Sequence, residues 1–301
     1  MAKIKGVSQV PESRELNEFE RATNSIGLEI TNTLLSVDVL DYDLADGIRI
    51  KNKVEDLVKE LNRVDVDYIK SMMPEAYQAA LAVSYTRLEI LGKKPDPNYN
   101  QDQHRKTVQD ETLIALGYLF KANNTIKELT STYLNLVNTV SRQLQLVQLQ
   151  EFGGFDPEEQ DYILGFIEDA VQEGGSRQGV ASKIKAFIVD KIGEGNLLRI
   201  NNRFYKVGPY SKMVARTEMR RLQSQGVLNA CNQYGNDLVE VSDHGTETEI
   251  CLPYEGQTYS ISGNSIRFPA LTAEPPYHPN CQHYLVPTSA EAIYFEEGWK
   301  G

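Results

Sequence analysis

The sequence predicts a mainly α-helical protein with long helices, one β-hairpin and a small α+β module with short strands near the C-terminus. Three observations carry that prediction. Apolar residues recur every three or four positions over much of residues 13–234, the spacing of one helix face. A single hairpin signal interrupts them near 197–207. After Gly235 the pattern changes to short apolar runs among turn residues, cysteines and histidines.

Residues 1–11 read as a tail. From about 13 to 36 the stripe Leu16, Phe19, Ala22, Ile26, Ile30, Leu34 predicts a first helix. A second helical region spans about 44–92, with a break expected near Met72-Met73-Pro74, because proline cannot continue the hydrogen-bond ladder. Lys93-Lys94-Pro95-Asp96-Pro97-Asn98 is a loop. The longest stripe, Ile126, Leu129, Tyr133, Leu136, Val140, Leu144, Val147, lies within a segment of about 104–151. Unbroken, that helix would run on the order of 70 Å at about 1.5 Å per residue. Alternatively, Thr125-x-x-Glu128 after Asn123-Asn124 is a capping box that would split it in two. Gly153-Gly154 ends the segment. Asp156-Pro157 opens a further helix that Gly174-Gly175 closes, and another runs from about Ser176 to Ile192. Residues 197–207 form the hairpin, with Asn201-Asn202 tolerating positive φ at its turn. A last helix covers about 209–234, followed by strands at 238–241, 257–261 and 284–287. The expected organisation is a long-helix arm or bundle over 1–152, a helical domain with the hairpin over 153–235, and a Cys/His module over 236–301.

Apolar residues make up 41% and charged residues 24% of 301, enough to bury a core and too ordinary for global disorder. A mean hydropathy of −0.42 suits helices with wide solvated faces. The longest apolar stretch is interrupted by Asp38, so no membrane span is expected. The charged start Met1-Ala-Lys-Ile-Lys-Gly6 lacks a following apolar run, so a cytoplasmic protein is expected. Three cysteines, Cys231, Cys251 and Cys281, argue against a disulfide framework.

The net charge of −11 is unevenly spread. Residues 176–221 hold eleven Lys or Arg against three acids, whereas 153–173 hold seven acids and no base. These neighbours either attract each other within the fold, or the basic stretch forms a face for DNA or an acidic protein. Its best-defined portion is Lys212, Arg216, Arg220 and Arg221, the candidate nucleic-acid or partner-binding set. Arg216 and Arg220 fall one turn apart, where like charges repel unless an acid or phosphate intervenes. A second reading has Arg216 or Glu218 anchoring this helix to the Cys/His module, and a third a solvated helix face.

Cys251, His278, Cys281 and His283 are the candidate metal ligands. His278-x-x-Cys281 can present two ligands from one turn and Cys251 a third from another, the pattern of small structural zinc modules, with His244 as a spare. Cys281-x-His283 is an uncommon spacing, since alternate residues of a strand point to opposite faces. Two further readings stay open: a metal-free turn with buried cysteines, and a Cys251–Cys281 disulfide. A catalytic reading would use Cys281 with His244, or a zinc-bound water with Glu249 or Glu255. Four ligand candidates favour a closed structural site instead, and no P-loop, dinucleotide fingerprint, His-Glu-x-x-His or Gly-x-Ser-x-Gly occurs, so no enzyme is expected.

In order along the chain stand an Ala215-Arg-Thr-Glu218 helix, Tyr234-Gly235, an Asp-containing strand, Cys251-x-Pro-x-x-Gly256, and Pro275-Pro-x-His-Pro-Asn-Cys281. This order resembles the phage Mu F-like, SPP1-type head morphogenesis family. Cys251-Leu-Pro-Tyr-Glu-Gly256 and Asn280-Cys-Gln-His283 also resemble the phage minor capsid protein 2 family. The resemblance covers about 176–287. It departs at Thr248, where relatives often carry a first cysteine, and at His283, where they often carry a last one. It implies a minor head protein of a tailed phage, found in the virion after assembly in the host cytoplasm. By the same resemblance its partners are the portal protein, major capsid or scaffolding protein, copies of itself, and packaged DNA. The alternative is an enzyme or toxin-like effector built on the same C-terminal module.

Overall fold

The computed structural model describes residues 14–39, 42–143, 165, 177–201 and 203–293. Its helices are α1 (Arg14–Leu35), α2 (Leu44–Ile90), α3 (Asp102–Gln143), α4 (Arg177–Ile192) and α5 (Val207–Gln233). A hairpin of β1 (Asn196–Ile200) and β2 (Arg203–Lys206) precedes α5, and β3 (Leu238–Val241), β4 (Thr258–Ser260) and β5 (Leu285–Pro287) follow it. The expected fold class is therefore the one observed. The expected tail, the helix between Asp156 and Gly175 apart from Gly165, the chain from Leu144 to Gly154, and Asn202 lie outside the described residues.

Two sequence expectations need correction. The first is α2, which continues through Pro74 without a break. Pro74 removes one hydrogen bond, yet Ile69, Met73, Tyr77 and Ala80 form a fully buried stripe across it, and that packing outweighs the lost bond. The second is the capping box at Thr125, because α3 is one helix across Asn123-Asn124. Thr125 Oγ1 bonds back to the Ala122 carbonyl at 2.7 Å, as a helix-interior threonine does. Asn123 is a buried linker: its Nδ2 donates to Asn62 Oδ1 at 2.9 Å and to Asp65 Oδ2 at 2.7 Å.

The chain folds as two compact units interleaved in sequence. One comprises Met1–Asn17, Asp67–Gly117 and Lys212–Gly301, the other Glu18–Val66 and Tyr118–Ser211. In the second, Ile30, Leu34, Val58, Leu61, Ile126, Leu136, Leu197 and Val207 belong to one buried apolar cluster. The hairpin there is antiparallel with Ile200 opposite Arg203, and Asn201 takes φ 50° at the turn. A bulge between Asn196 and Leu198 breaks the alternation, and Leu197 and Leu198 are both buried. The Arg199 amide donates to Thr125 Oγ1 at 3.2 Å, joining hairpin to α3.

In the other unit, polar side chains fasten three helices. Asn229 of α5 donates to the Tyr77 hydroxyl of α2 at 2.8 Å and to Thr107 Oγ1 of α3 at 2.9 Å. Within this unit α5 is buried on nearly all sides, polar residues Glu218, Arg220, Gln223, Ser224 and Gln233 included. The helix stops at Gly235, whose φ of 59° only glycine adopts without strain. The Asn236 amide bonds the Cys231 carbonyl at 2.9 Å and the Gly235 amide the Asn232 carbonyl at 3.3 Å, capping the exposed carbonyls. The chain then enters the antiparallel sheet β4-β3-β5, with Val239 opposite both Tyr259 and Pro287. Among the described residues, no helix is long and apolar enough to cross a membrane.

Candidate metal centre

Two loops leave this sheet and meet. The first follows β3 and turns at Cys251, whose amide bonds the Thr248 carbonyl at 2.8 Å while its carbonyl accepts from Tyr254 at 2.9 Å. Thr248 thus opens the turn through its backbone. The Gly256 amide then returns to the Val241 carbonyl at 3.0 Å, which sets Glu255 beside residues 242–246. The second loop turns at His278–Cys281, where the Cys281 amide bonds the His278 carbonyl at 3.1 Å. Asn280 supplies the left-handed residue of that turn, at φ 63°. Tyr254 of the first loop stacks on Tyr277 of the second, with ring centroids 4.2 Å apart and planes 13° from parallel.

These turns bring ligand atoms of Cys251, His278 and Cys281 within 4.8 Å of one another, a group that can hold a metal ion. The two Sγ atoms are 3.9 Å apart and both thiols are free, so the pair is in contact and not disulfide-bonded. Tetrahedral zinc, with bonds of about 2.3 Å to sulfur and 2.0–2.1 Å to nitrogen, would separate two sulfurs by about 3.8 Å and a sulfur from a nitrogen by about 3.5 Å. The observed S···S distance fits that edge. His278 Nδ1 lies 2.8 Å from the Pro279 carbonyl, which can only accept, so the proton sits on Nδ1 and the lone pair on Nε2.

His283 stands beside this three-residue group, next to Cys281. It is 2% exposed, and its Nδ1 lies 3.4 Å from Cys281 Sγ. The spacing that looked unfavourable is accommodated because residues 281–284 are irregular and the strand begins only at Leu285. The other ring nitrogen, Nε2, meets Glu255 Oε1 at 3.2 Å. Glu255 also accepts the His244 amide at 2.5 Å and the Thr246 amide at 2.9 Å. Burial works against its charge, but those donors and His283 outweigh it and hold the carboxyl below the usual range. His244 stands aside, with its Nε2 2.9 Å from Ser242 Oγ. Burial, then the neighbouring Cys281, pushes the Cys251 thiol up to about 11, so a nearby cation is what would favour thiolates here.

The four candidate cations of α5 divide. Arg220 is 5% exposed, and its Nε and Nη1 have no hydrogen-bond partner among the described residues, so it does not present a surface to DNA. Burial lowers its pKa while the charges of Cys281 and Tyr284 support it. Arg216 Nη1 donates to Asn280 Oδ1 at 3.3 Å, and the Asn280 amide donates to Thr217 Oγ1 at 3.4 Å, so α5 holds the second cysteine turn directly. Glu218 pairs with Arg221 at 3.2 Å on their shared helix. Lys212 Nζ donates to Asn17 Oδ1 at 2.9 Å. The sequence placed Glu255 near a zinc only as a candidate base; its contact with His283 and the Tyr254–Tyr277 stack escaped that reading, because nothing in spacing alone brings position 255 to position 283. Glu249 is not drawn into the centre by any hydrogen bond.

No curated protein and no solved structure matches the chain. Residues 196–291 match the family described as phage minor capsid protein 2. That stretch contains the hairpin, α5, strands β3 to β5 and both cysteine turns, so the similarity to this family lies in the region built around those turns.

Proposed function

We propose that the chain is a minor structural protein of a tailed-phage head, located at the portal vertex or in the capsid interior, and acting in head assembly and in DNA packaging or delivery. The observation that carries this reading is the coincidence of the family match with the whole C-terminal region built around the two cysteine turns. In this reading the role is not enzymatic. The Cys251, His278, Cys281 and His283 set takes a structural Zn2+ that links the two cysteine turns. The partners are the portal protein, the major capsid or scaffolding protein and further copies of this chain. Packaged DNA would meet the partly exposed Lys212, Arg216 and Arg221 of α5 and the basic residues preceding them.

Quantitative mass spectrometry of purified particles tests the reading. A fixed, low ratio of this chain to portal protein in virions or proheads is the expected result. Its absence from both refutes a head protein.

A further inference from the structure

Three groups around the cysteine turns have hydrogen bonds that determine which atom faces the centre. His278 spends Nδ1–H on the Pro279 carbonyl, which leaves Nε2 as its lone-pair nitrogen. Glu255, with both oxygens engaged by backbone amides of residues 244 and 246, cannot donate and accepts from His283 at Nε2. The His283 proton is therefore on Nε2 and its lone pair on Nδ1. That Nδ1 is the atom lying 3.4 Å from Cys281 Sγ, within about 0.2 Å of the sulfur–nitrogen edge of a tetrahedral zinc site.

We propose that Glu255 is the positioning residue of this centre. It locks His283 in the tautomer whose Nδ1, beside Cys281 Sγ, is free to swing in as a fourth ligand to the Cys251, His278 and Cys281 group. The inference rests on the metal-centre reading above and adds to it the ligand atoms and the carboxylate that orients the fourth ligand. Glu255 is well placed for the task. The Gly256-to-Val241 bond fixes its backbone at the end of β3, and two amides clamp its carboxylate before any metal arrives. Carboxylates that accept the second N–H of a ligating histidine keep the ring aimed at the metal and raise its basicity.

Co2+ and Zn2+ binding to the full-length protein tests both layers. The wild type is expected to take one Co2+ per chain, with sulfur-to-cobalt charge transfer and the strong visible bands of a four-coordinate site. Glu255→Gln and Glu255→Asp are expected to keep the stoichiometry and the charge-transfer band and to weaken Zn2+ affinity, measured against a chromophoric chelator, by about 10–100-fold. His283→Ala should alter the visible bands, as water replaces an imidazole. Far-UV circular dichroism identical to wild type shows that each variant is folded. Unchanged affinity in both Glu255 variants, or an unchanged Co2+ spectrum in His283→Ala, overturns the inference and leaves the metal centre standing. A wild type that binds no metal, or a Cys251→Ser variant that binds as tightly as wild type, overturns the metal centre itself.

Discussion

Asp65 is a fully buried carboxyl whose Oδ2 accepts from Asn123 and whose Oδ1 has no partner among the described residues. Burial raises its pKa from 3.8 to about 7, with the Asn123 hydrogen bond only partly opposing. The folded chain thus keeps this proton up to about pH 7, while the unfolded chain releases it near 4. Stability must fall as pH rises through that window, because the folded state alone carries the cost of a buried charge above it. A shift of about three units corresponds to roughly 4 kcal/mol once both states are ionised, at about pH 8, and to roughly 2 kcal/mol at pH 5. Asp65→Asn keeps an acceptor for Asn123 and cannot ionise. Its amide leaves one group unpartnered, at a cost of about 1 kcal/mol that does not depend on pH. The variant should therefore gain on wild type by about 2–3 kcal/mol between pH 5 and pH 8. Urea denaturation of both proteins at the two pH values reads that double difference directly. Parallel pH profiles for the two proteins would refute the argument, since they would mean that Asp65 ionises in the fold as readily as in water.

Two packing predictions accompany it. A Cβ at Gly208 would lie 2.6 Å from both Asn24 Cβ and the Glu20 carbonyl oxygen, so Gly208→Ala should destabilise by about 2–3 kcal/mol in the same denaturation assay. Asn229→Ala removes the donor shared by Tyr77 and Thr107 in a buried setting, and should cost about 2–3 kcal/mol, with a loss below 1 kcal/mol contradicting the role of that linker.

Much of the fold was legible because local rules and packing agree. The hairpin and the C-terminal strands lie where Asn201 and the apolar runs place them, and Gly235 ends α5 as its position suggests. The misreadings arise where packing overrode a local signal. Pro74 interrupts nothing because the buried stripe from Ile69 to Ala80 spans it. Asn123 falls on the stripe of Leu119, Ile126 and Thr130, all buried, so its position on the helix marked it as an interior polar residue and not as a helix start. Arg220 misled for a related reason. Arginines one turn apart suggest a solvated face, but α5 is enclosed within its unit, and that enclosure is made by segments far along the chain, Cys281 and Tyr284 beside Arg220 among them. The cysteines and histidines were recognisable by type. Their pairing needed the fold, because Cys251 and Cys281 are 30 residues apart and meet only through the turns on either side of β4.

What holds these turns together decides what a metal does there. Strands of three or four residues do not make a stable sheet alone, and the module borrows support from the helices of its own unit. Arg87 Nε donates to the Pro287 carbonyl, Gln225 Nε2 to Glu274 Oε2 at 2.8 Å, and Arg216 to Asn280. The Tyr254–Tyr277 stack and the Glu255–His283 contact draw the loops together independently of the sulfurs. An ion entering here meets ligands that are already positioned, so most of its binding free energy appears as affinity and little goes to ordering the loops. With His283 as the proposed fourth ligand, two sulfurs and two ring nitrogens would fill a tetrahedral shell and leave no coordination position for a reacting water. A metal held there would tie the Cys251 turn to the Cys281 turn, which Arg216 already fastens to α5 through Asn280.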